Sequence, residues 1–222
     1  MTDRISSGIP GLDGLLQGGF VKGSVNLISG PTGTGKTIFG LQYIYQGLKK
    51  GENGVFISLE QELRDIIGDV KDFGWNFVNH IKNKKCMIEY LPIWKLEDLT
   101  ITVLEKIKSI NAKRFVLDSL SLVCSKLEPE EIRSEITEFM KELRRSGVTS
   151  LLLTEIPEGS KGLSTFGIEE FIADGIIVLH YLEFVSGMSP RSLVIRKMRR
   201  TSHGTDVYPI NITNKGMSVI RK

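Results

Sequence analysis

The chain has 222 residues, of which 41% are hydrophobic and 25% charged, and its formal net charge is +3. These values exclude a disordered or fibrous protein, and the length allows one large α/β core that needs no disulfide or metal to hold it. No apolar run approaches the roughly 20 residues of a membrane span, and residues 1–16 lack an export signal. We therefore expect a cytoplasmic protein that does not contact membranes, with Cys86 and Cys124 as free thiols.

Apolar runs alternate with helical patterns over the first 154 residues, which is typical of βα units and a parallel sheet. The predicted strands are 24–29, 54–60, 86–91, 114–120 and 148–155, and the predicted helices are 36–50, 61–73, 96–110 and 129–146. In the last helix the apolar residues recur at spacings of three and four, which predicts one buried stripe. Its members are Ile132, Ile136, Phe139 and Leu143.

The pattern changes after Gly167, where further β-type runs follow each other without intervening helices. Residues 174–184 and 191–199 read as two strands around the turn 185–190, and shorter strands are expected at 207–212 and 217–220. These strands, from about 175 to 222, predict an antiparallel extension of the sheet. A single domain over 1–222 accounts for every element.

Residues 30–37, "GPTGTGKT", fit the phosphate-binding pattern GxxxxGK[ST] between a strand and a helix. Glycines let successive backbone N–H groups converge on phosphate oxygens, and the helix N-terminus adds its positive end. Lys36 would reach the β and γ phosphates, and the hydroxyl of Thr37 would bind Mg²⁺. The predicted nucleotide-binding residues here are Gly30, Pro31, Thr32, Gly33, Thr34, Gly35, Lys36, Thr37 and Ile38.

Two carboxylates follow other predicted strands. Asp118 ends the apolar run 114–117, where a P-loop protein places the residue that holds Mg²⁺ through water. The alternative is that Asp118 caps the following helix. Glu60 ends the strand after the P-loop helix and is the candidate general base, since the carboxyl ends of parallel strands converge on the ligand. Glu60 as an exposed carboxylate at a helix start remains the alternative.

These motifs resemble the KaiC-like branch of the RecA superfamily over essentially the whole chain. The matching blocks are "SSGIPGLDGLLQGGFVKGSVNLISGPTGTGKT", "GVFISLEQE", "FGW", "VLDSLS", "LLTE", "FGIEEFIADGIIVLHY" and "KMRRTSHGTDVYPINIT". The resemblance implies a RecA-like P-loop NTPase fold, with a mostly parallel central sheet, flanking helices and an antiparallel C-terminal extension. It also implies ATP or ADP with Mg²⁺ bound between copies of the chain in a hexameric ring or a filament.

The resemblance assigns further residues to the neighbouring subunit's nucleotide. In that family a lysine and an arginine of the motif KxRGTSH reach across to the γ phosphate, and here they are Lys197 and Arg199. Thr201 and His203 match the part of the motif near the ribose and base. An exposed basic hairpin with no such role is the alternative.

Three features depart from the family pattern: two single residues and one pair. Gln61 replaces the second of two adjacent glutamates, so hydrolysis is expected to be slow. Arg200 replaces the glycine of KxRGTSH. Glu170 and Phe171 replace the serine and threonine that the clock protein of this family phosphorylates on itself, which excludes that modification at this site.

The leading hypothesis is an ATPase whose nucleotide state controls assembly or the binding of a protein partner. One alternative is a recombination or repair protein related to RecA that binds DNA, but its candidate loops at 123–131 and 157–167 are poor in the basic and aromatic residues such binding needs. The other alternative is a switch that holds ATP to assemble and scarcely hydrolyses it.

Overall fold

A computed structural model describes residues 2–92, 95–181 and 190–220. Its strands are β1 Arg4–Ile5, β2 Phe20–Val21, β3 Val25–Gly30, β4 Gly54–Ser58, β5 Cys86–Tyr90, β6 Arg114–Asp118, β7 Thr149–Glu155, β8 Gly175–Tyr181, β9 Arg191–Met198, β10 Val207–Thr213 and β11 Gly216–Val219. Its helices are α1 Leu12–Leu15, α2 Lys36–Lys49, α3 Leu63–Lys71, α4 Phe77–Lys82, α5 Leu96–Ser109, α6 Leu120–Cys124, α7 Pro129–Ser146 and α8 Glu169–Ile172.

Nine strands of the described ranges form the main sheet, in the order β11-β10-β9-β8-β3-β7-β6-β4-β5. The strands from β8 to β5 in this order are mutually parallel, whereas β9, β10 and β11 pair antiparallel. All six residues of β3 are buried, as a strand with neighbours on both edges and helices on both faces requires. The predicted mostly parallel sheet with an antiparallel C-terminal extension is confirmed.

Strand β8 belongs to both parts of the sheet. It is parallel to β3 on one edge and antiparallel to β9 on the other, so the fully antiparallel part begins at Arg191 rather than near 175. The predicted continuation of the β8 strand through 182–184, and most of the predicted turn at 185–190, lie outside the described residues.

Two apolar clusters cover the two faces of the sheet. The cluster around α2 contains Phe39, Tyr43 and Ile44, and the opposite cluster is formed by α5 and α7. The four residues of the predicted stripe in α7 are buried there, which confirms the periodicity. Helix α7 begins with a proline in its first turn and ends at Gly147, whose φ of 75° suits a glycine.

Elements too short to show a period were not predicted. The antiparallel pair β1–β2 has two residues in each strand, and α1 and α8 have four residues each. The helix expected after Asp118 is α6, which has five residues. The segment after α3, which the sequence left irregular, contains α4, capped by the Asn76 side chain on the Asn79 N–H. Helix α3 itself is shorter than predicted, since it begins at Leu63 and ends at Lys71.

A buried arginine joins α2 to the sheet. The Arg114 guanidinium is fully buried, donates through Nε to Glu52 Oε2 at 2.7 Å and through Nη1 to the Tyr43 carbonyl at 2.8 Å, and lies 4.4 Å from the centroid of the Tyr43 ring. A Cβ on Gly47 would lie 2.2 Å from Arg114 Nε. The glycine therefore gives this cation its space.

We expect Gly47→Ala to lower the free energy of unfolding by about 2 kcal/mol, because the added methyl displaces a buried ion pair. Gly68→Ala is the matched control: Gly68 also lies in a helix, but a Cβ there meets no atom within 4 Å. We expect the control to stabilise the protein by up to about 1 kcal/mol through helix propensity. Urea unfolding of both variants measures the difference, and equal effects would contradict this role for Gly47.

Candidate functional site

The P-loop leaves the sheet at the carboxyl end of β3 and enters α2 at Lys36. Gly33 and Gly35 have φ angles of 78° and 98°, which other residues rarely adopt. A Cβ on Gly33 would meet no atom within 4 Å, so this side of the loop is open. A Cβ on Gly35 would lie 2.7 Å from Ile212 Cδ1, so this glycine also lets β10 approach the loop.

The Lys36 ammonium lies over the loop. It donates to the carbonyls of Gly30 at 2.9 Å and Pro31 at 3.1 Å. Burial lowers the pKa of Lys36 from its ordinary value, although nearby carboxylates, Glu155 first among them, act in the opposite direction. The cation therefore has carbonyl partners that phosphate oxygens can replace.

The hydroxyl of Thr37 meets the carboxylate of Asp118, which is 8% exposed at the end of β6. Thr37 Oγ1 donates to Asp118 Oδ2 at 2.7 Å. Burial raises the pKa of Asp118 to about 6, against the opposing effect of this hydrogen bond. A hydroxyl and a carboxylate beside an open P-loop are oxygen donors of the kind Mg²⁺ prefers, so these residues fit a Mg²⁺ site that a nucleotide would complete.

Glu60 lies just beyond β4 and close to Asp118. Its Oε1 accepts a hydrogen bond of 2.6 Å from the hydroxyl of Ser119, the residue after Asp118. The Ser58 hydroxyl accepts from the N–H groups of Glu60 and Gln61, which fixes the turn that carries the carboxylate. Adjacent parallel strands thus bring the two predicted carboxylates to one edge of the sheet.

A cleft of about 580 Å³ joins these groups and contains residues that sequence reasoning missed. Glu155 enters it from the end of β7, and Arg191 enters it from the start of β9. Arg191 Nε donates to the Gly33 carbonyl at 3.0 Å, and its guanidinium lies 5.2 Å from the Tyr181 ring centroid. The strand-end rule that found Asp118 could have found Glu155, whereas nothing local pointed to Arg191.

Lys197 and Arg199 lie away from this cleft, at the other end of the sheet. Lys197 and Met198 pair with the first residues of β8. Those residues of β8 pair in turn with the start of β3 near Asn26, which lies about 13 Å along β3 from Gly30. Lys197 Nζ donates to the carbonyls of Glu170 at 2.9 Å and Phe171 at 3.3 Å. The structure therefore does not bring the predicted γ-phosphate cations to the P-loop of their own chain.

Thr201 and His203 continue from Arg199 in a loop that the N-terminal segment holds. Arg4 donates to Thr201 Oγ1 and to the Arg200 carbonyl, both at 2.9 Å. The Ser202 N–H donates to Gln17 Oε1 at 3.1 Å. Arg200 has a φ of 57°, which explains why the family pattern has glycine there.

Comparisons with known proteins bear on this arrangement. The family model described as "ATPase: KaiC" matches residues 5–222. The chain belongs to the KaiC family of ATPases. A crystal structure of a KaiC-like protein from Pyrococcus horikoshii OT3 is 40% identical, with a TM-score of 0.90 and full coverage of both chains. The RecA-like fold expected from the resemblance is thereby confirmed.

Two curated relatives match almost the whole of this chain. A UPF0273 protein from Pyrococcus horikoshii is 36% identical over 99% of this chain and 94% of its own length. Circadian clock protein KaiC2 from Synechocystis is 32% identical over 98% of this chain, which spans 40% of that longer protein. Membership of this ATPase family supports ATP binding by the chain. In the described ranges, no helix has the length and apolar character that crossing a membrane demands.

We expect Asp118→Asn to stabilise the nucleotide-free protein at neutral pH. Because the folded-state pKa of about 6 exceeds the ordinary 3.8, the wild type loses stability as the pH rises through this window. Asparagine does not titrate, so the advantage of the variant should grow from about zero near pH 4 to about 2–3 kcal/mol near pH 7. Urea unfolding in EDTA measures this advantage, with the exposed Asp206→Asn as control. An advantage that shrinks with rising pH would contradict the assignment.

Proposed function

We propose that the protein hydrolyses ATP at the interfaces of a homo-oligomer, and that nucleotide state controls assembly or the binding of a protein partner. One observation carries the proposal: the groups for binding and hydrolysis are divided between two ends of the sheet. Lys36, Thr37, Glu60 and Asp118 line one cleft, while Lys197 and Arg199 lie at the opposite end. A second copy of the chain could bring the two sets together.

Binding would use groups that the fold already positions. The P-loop amides and the N-terminus of α2 would hold the phosphates, and Lys36 would exchange its carbonyl partners for phosphate oxygens. Thr37 and, through water, Asp118 would hold Mg²⁺. Bound Mg²⁺ supplies charge neutralisation on the β and γ phosphates.

Glu60 would act as the general base of hydrolysis. It stands at the edge of the cleft beside Asp118, and the Ser119 hydroxyl orients its carboxylate. A carboxylate there can accept a proton from a water molecule placed opposite the leaving group. Gln61 cannot provide a second carboxylate, which supports slow turnover.

Lys197 and Arg199 of one copy would serve the nucleotide of the next. Cationic donors that arrive from a neighbouring subunit stabilise charge developing on the transferred phosphoryl group, as an arginine finger does. Thr201 and His203, in the loop that follows β9, would lie near the ribose and base. Head-to-tail contacts of this kind close into rings or continue as filaments, and the family resemblance favours a ring of six.

We expect Glu60→Gln to lower ATP turnover by about 10²-fold or more while ATP still binds, because only the proton acceptor is lost. Lys36→Ala should lose binding as well. Glu62→Gln, the same change at a neighbouring exposed carboxylate, is the matched control and should keep wild-type turnover. Phosphate release and equilibrium nucleotide binding measure the two properties. Turnover that survives Glu60→Gln would contradict the role of Glu60 as the general base. Scarcely any turnover in the wild type would favour the alternative in which the protein holds ATP to assemble and scarcely hydrolyses it.

We expect two inactive variants to restore each other. Lys36→Ala lacks a working P-loop but keeps Arg199, whereas Arg199→Ala keeps the P-loop but lacks the arginine. Random mixing would pair an intact P-loop with an intact arginine at about a quarter of the interfaces, so turnover should recover to that extent. Mixing each variant with itself is the control, and no recovery of turnover in co-assembled subunits would contradict action between copies.

ATP-dependent, salt-sensitive retention of single-stranded DNA would instead favour the DNA-binding alternative.

A further inference from the structure

We infer that Asp174 is a positioning residue for Arg199, and that it ties this arginine to the strand that ends in the P-loop of the same subunit. The inference rests on the proposed function, because Arg199 has a catalytic role only if it serves a neighbouring copy. It adds a residue to that function which neither the sequence motifs nor the cleft identified.

The two oxygens of Asp174 have separate tasks. Oδ1 accepts a hydrogen bond of 3.1 Å from Arg199 Nη1. Oδ2 accepts from the Val25 N–H at 3.0 Å and from Arg144 Nε at 2.9 Å. The bonds from Val25 and Arg144 to Oδ2 are enough for a carboxylate with a purely structural role. The bond from Arg199 to Oδ1 is made in addition to them.

Backbone hydrogen bonds join the same three segments. The Asp174 N–H donates to the Val25 carbonyl at 2.8 Å, and the Arg199 N–H donates to the Asp174 carbonyl at 2.9 Å. Asp174 is 8% exposed. Burial acts to raise its pKa, but the Val25 N–H, Arg144 and Arg199 outweigh this effect and hold the pKa below its ordinary value. The residue is therefore an anion that the surrounding structure fixes in place.

Strand β3 connects this anion to the nucleotide cleft. Val25 begins β3 and Gly30 ends it, about 17 Å away along the strand. All six residues are buried, and β7 and β8 pair with the strand along its two edges. In the proposed assembly the Gly30 end would contact the nucleotide of its own subunit, while the Val25 end binds Asp174, which holds the arginine that would serve the next subunit.

The bond leaves Arg199 able to act. One of its five N–H donors is used on Asp174, and its side chain remains 51% exposed. A free arginine side chain loses rotamer entropy when it binds, and fixing one donor in advance lowers the cost of presenting the others. Lys197 is fixed in a similar way by the carbonyls of α8. Asp174 thus pre-orients the cation without covering it.

Steady-state kinetics of Asp174→Asn test the inference. We expect kcat for ATP to fall about tenfold while KM stays within about twofold, because the P-loop is intact and only the trans donor is misplaced. Adding Arg199→Ala to this variant should lower kcat no further than Arg199→Ala alone, since both changes act through one group. Arg144→Ala is the matched control: it removes the other ion pair of Asp174 and should cost stability but not kcat.

Mixing with Lys36→Ala subunits separates positioning from a structural role. Lys36→Ala subunits carry an intact Asp174–Arg199 pair and should restore turnover to Asp174→Asn subunits as they do to Arg199→Ala subunits. If Asp174→Asn does not assemble, Asp174→Glu keeps the charge but moves the oxygens by one methylene, and the same loss and restoration are expected from it.

The outcomes distinguish the two proposals. Unchanged or increased kcat in the Asp174 variants, or a loss that Lys36→Ala subunits restore for Arg199→Ala but not for the Asp174 variants, would overturn this inference and leave the proposed function standing. Full turnover by Arg199→Ala, or failure of Lys36→Ala to restore it, would overturn the proposed function and this inference together.

Discussion

The arrangement depends on one constraint: a parallel strand delivers its carboxyl end, and only that end, to the ligand edge of the sheet. Strand β3 places the P-loop there, β4 places Glu60, β6 places Asp118 and β7 places Glu155. Strand β9 runs the opposite way, so it begins at the cleft with Arg191 and ends away from it with Lys197 and Met198. The direction of β9 therefore places Arg191 at the cleft of its own chain and Lys197 away from it.

The cleft concentrates charge that is costly without a ligand. Asp118 is buried with a raised pKa, and Lys36 is half-buried with a lowered pKa, so burial disfavours the charged form of both groups. A polyanion with Mg²⁺ would place opposite charge beside each of them. The disfavoured charges are consistent with a site selected for its ligand rather than for stability.

The sequence allowed prediction of features that follow from local pattern. The P-loop, Asp118 and Glu60 each continue a recognisable strand, and the buried stripe of α7 follows from a period that repeats over about three turns. Features made by distant contacts could not be predicted in this way. Arg191 contacts Gly33 across 158 positions, and Arg4 contacts Thr201 across 197. The short two-stranded sheet β1–β2 that supports this second contact has no period to detect. The family resemblance supplied Lys197 and Arg199, and the structure explains why pattern alone does not link them to the P-loop.

The dependence of specific ATPase activity on protein concentration tests the shared site most directly. If two copies complete each site, turnover per subunit should fall as dilution dissociates the oligomer, in step with the loss of assembled protein in sedimentation under the same conditions. Constant turnover per subunit across a dilution series in which sedimentation shows monomers would contradict the account.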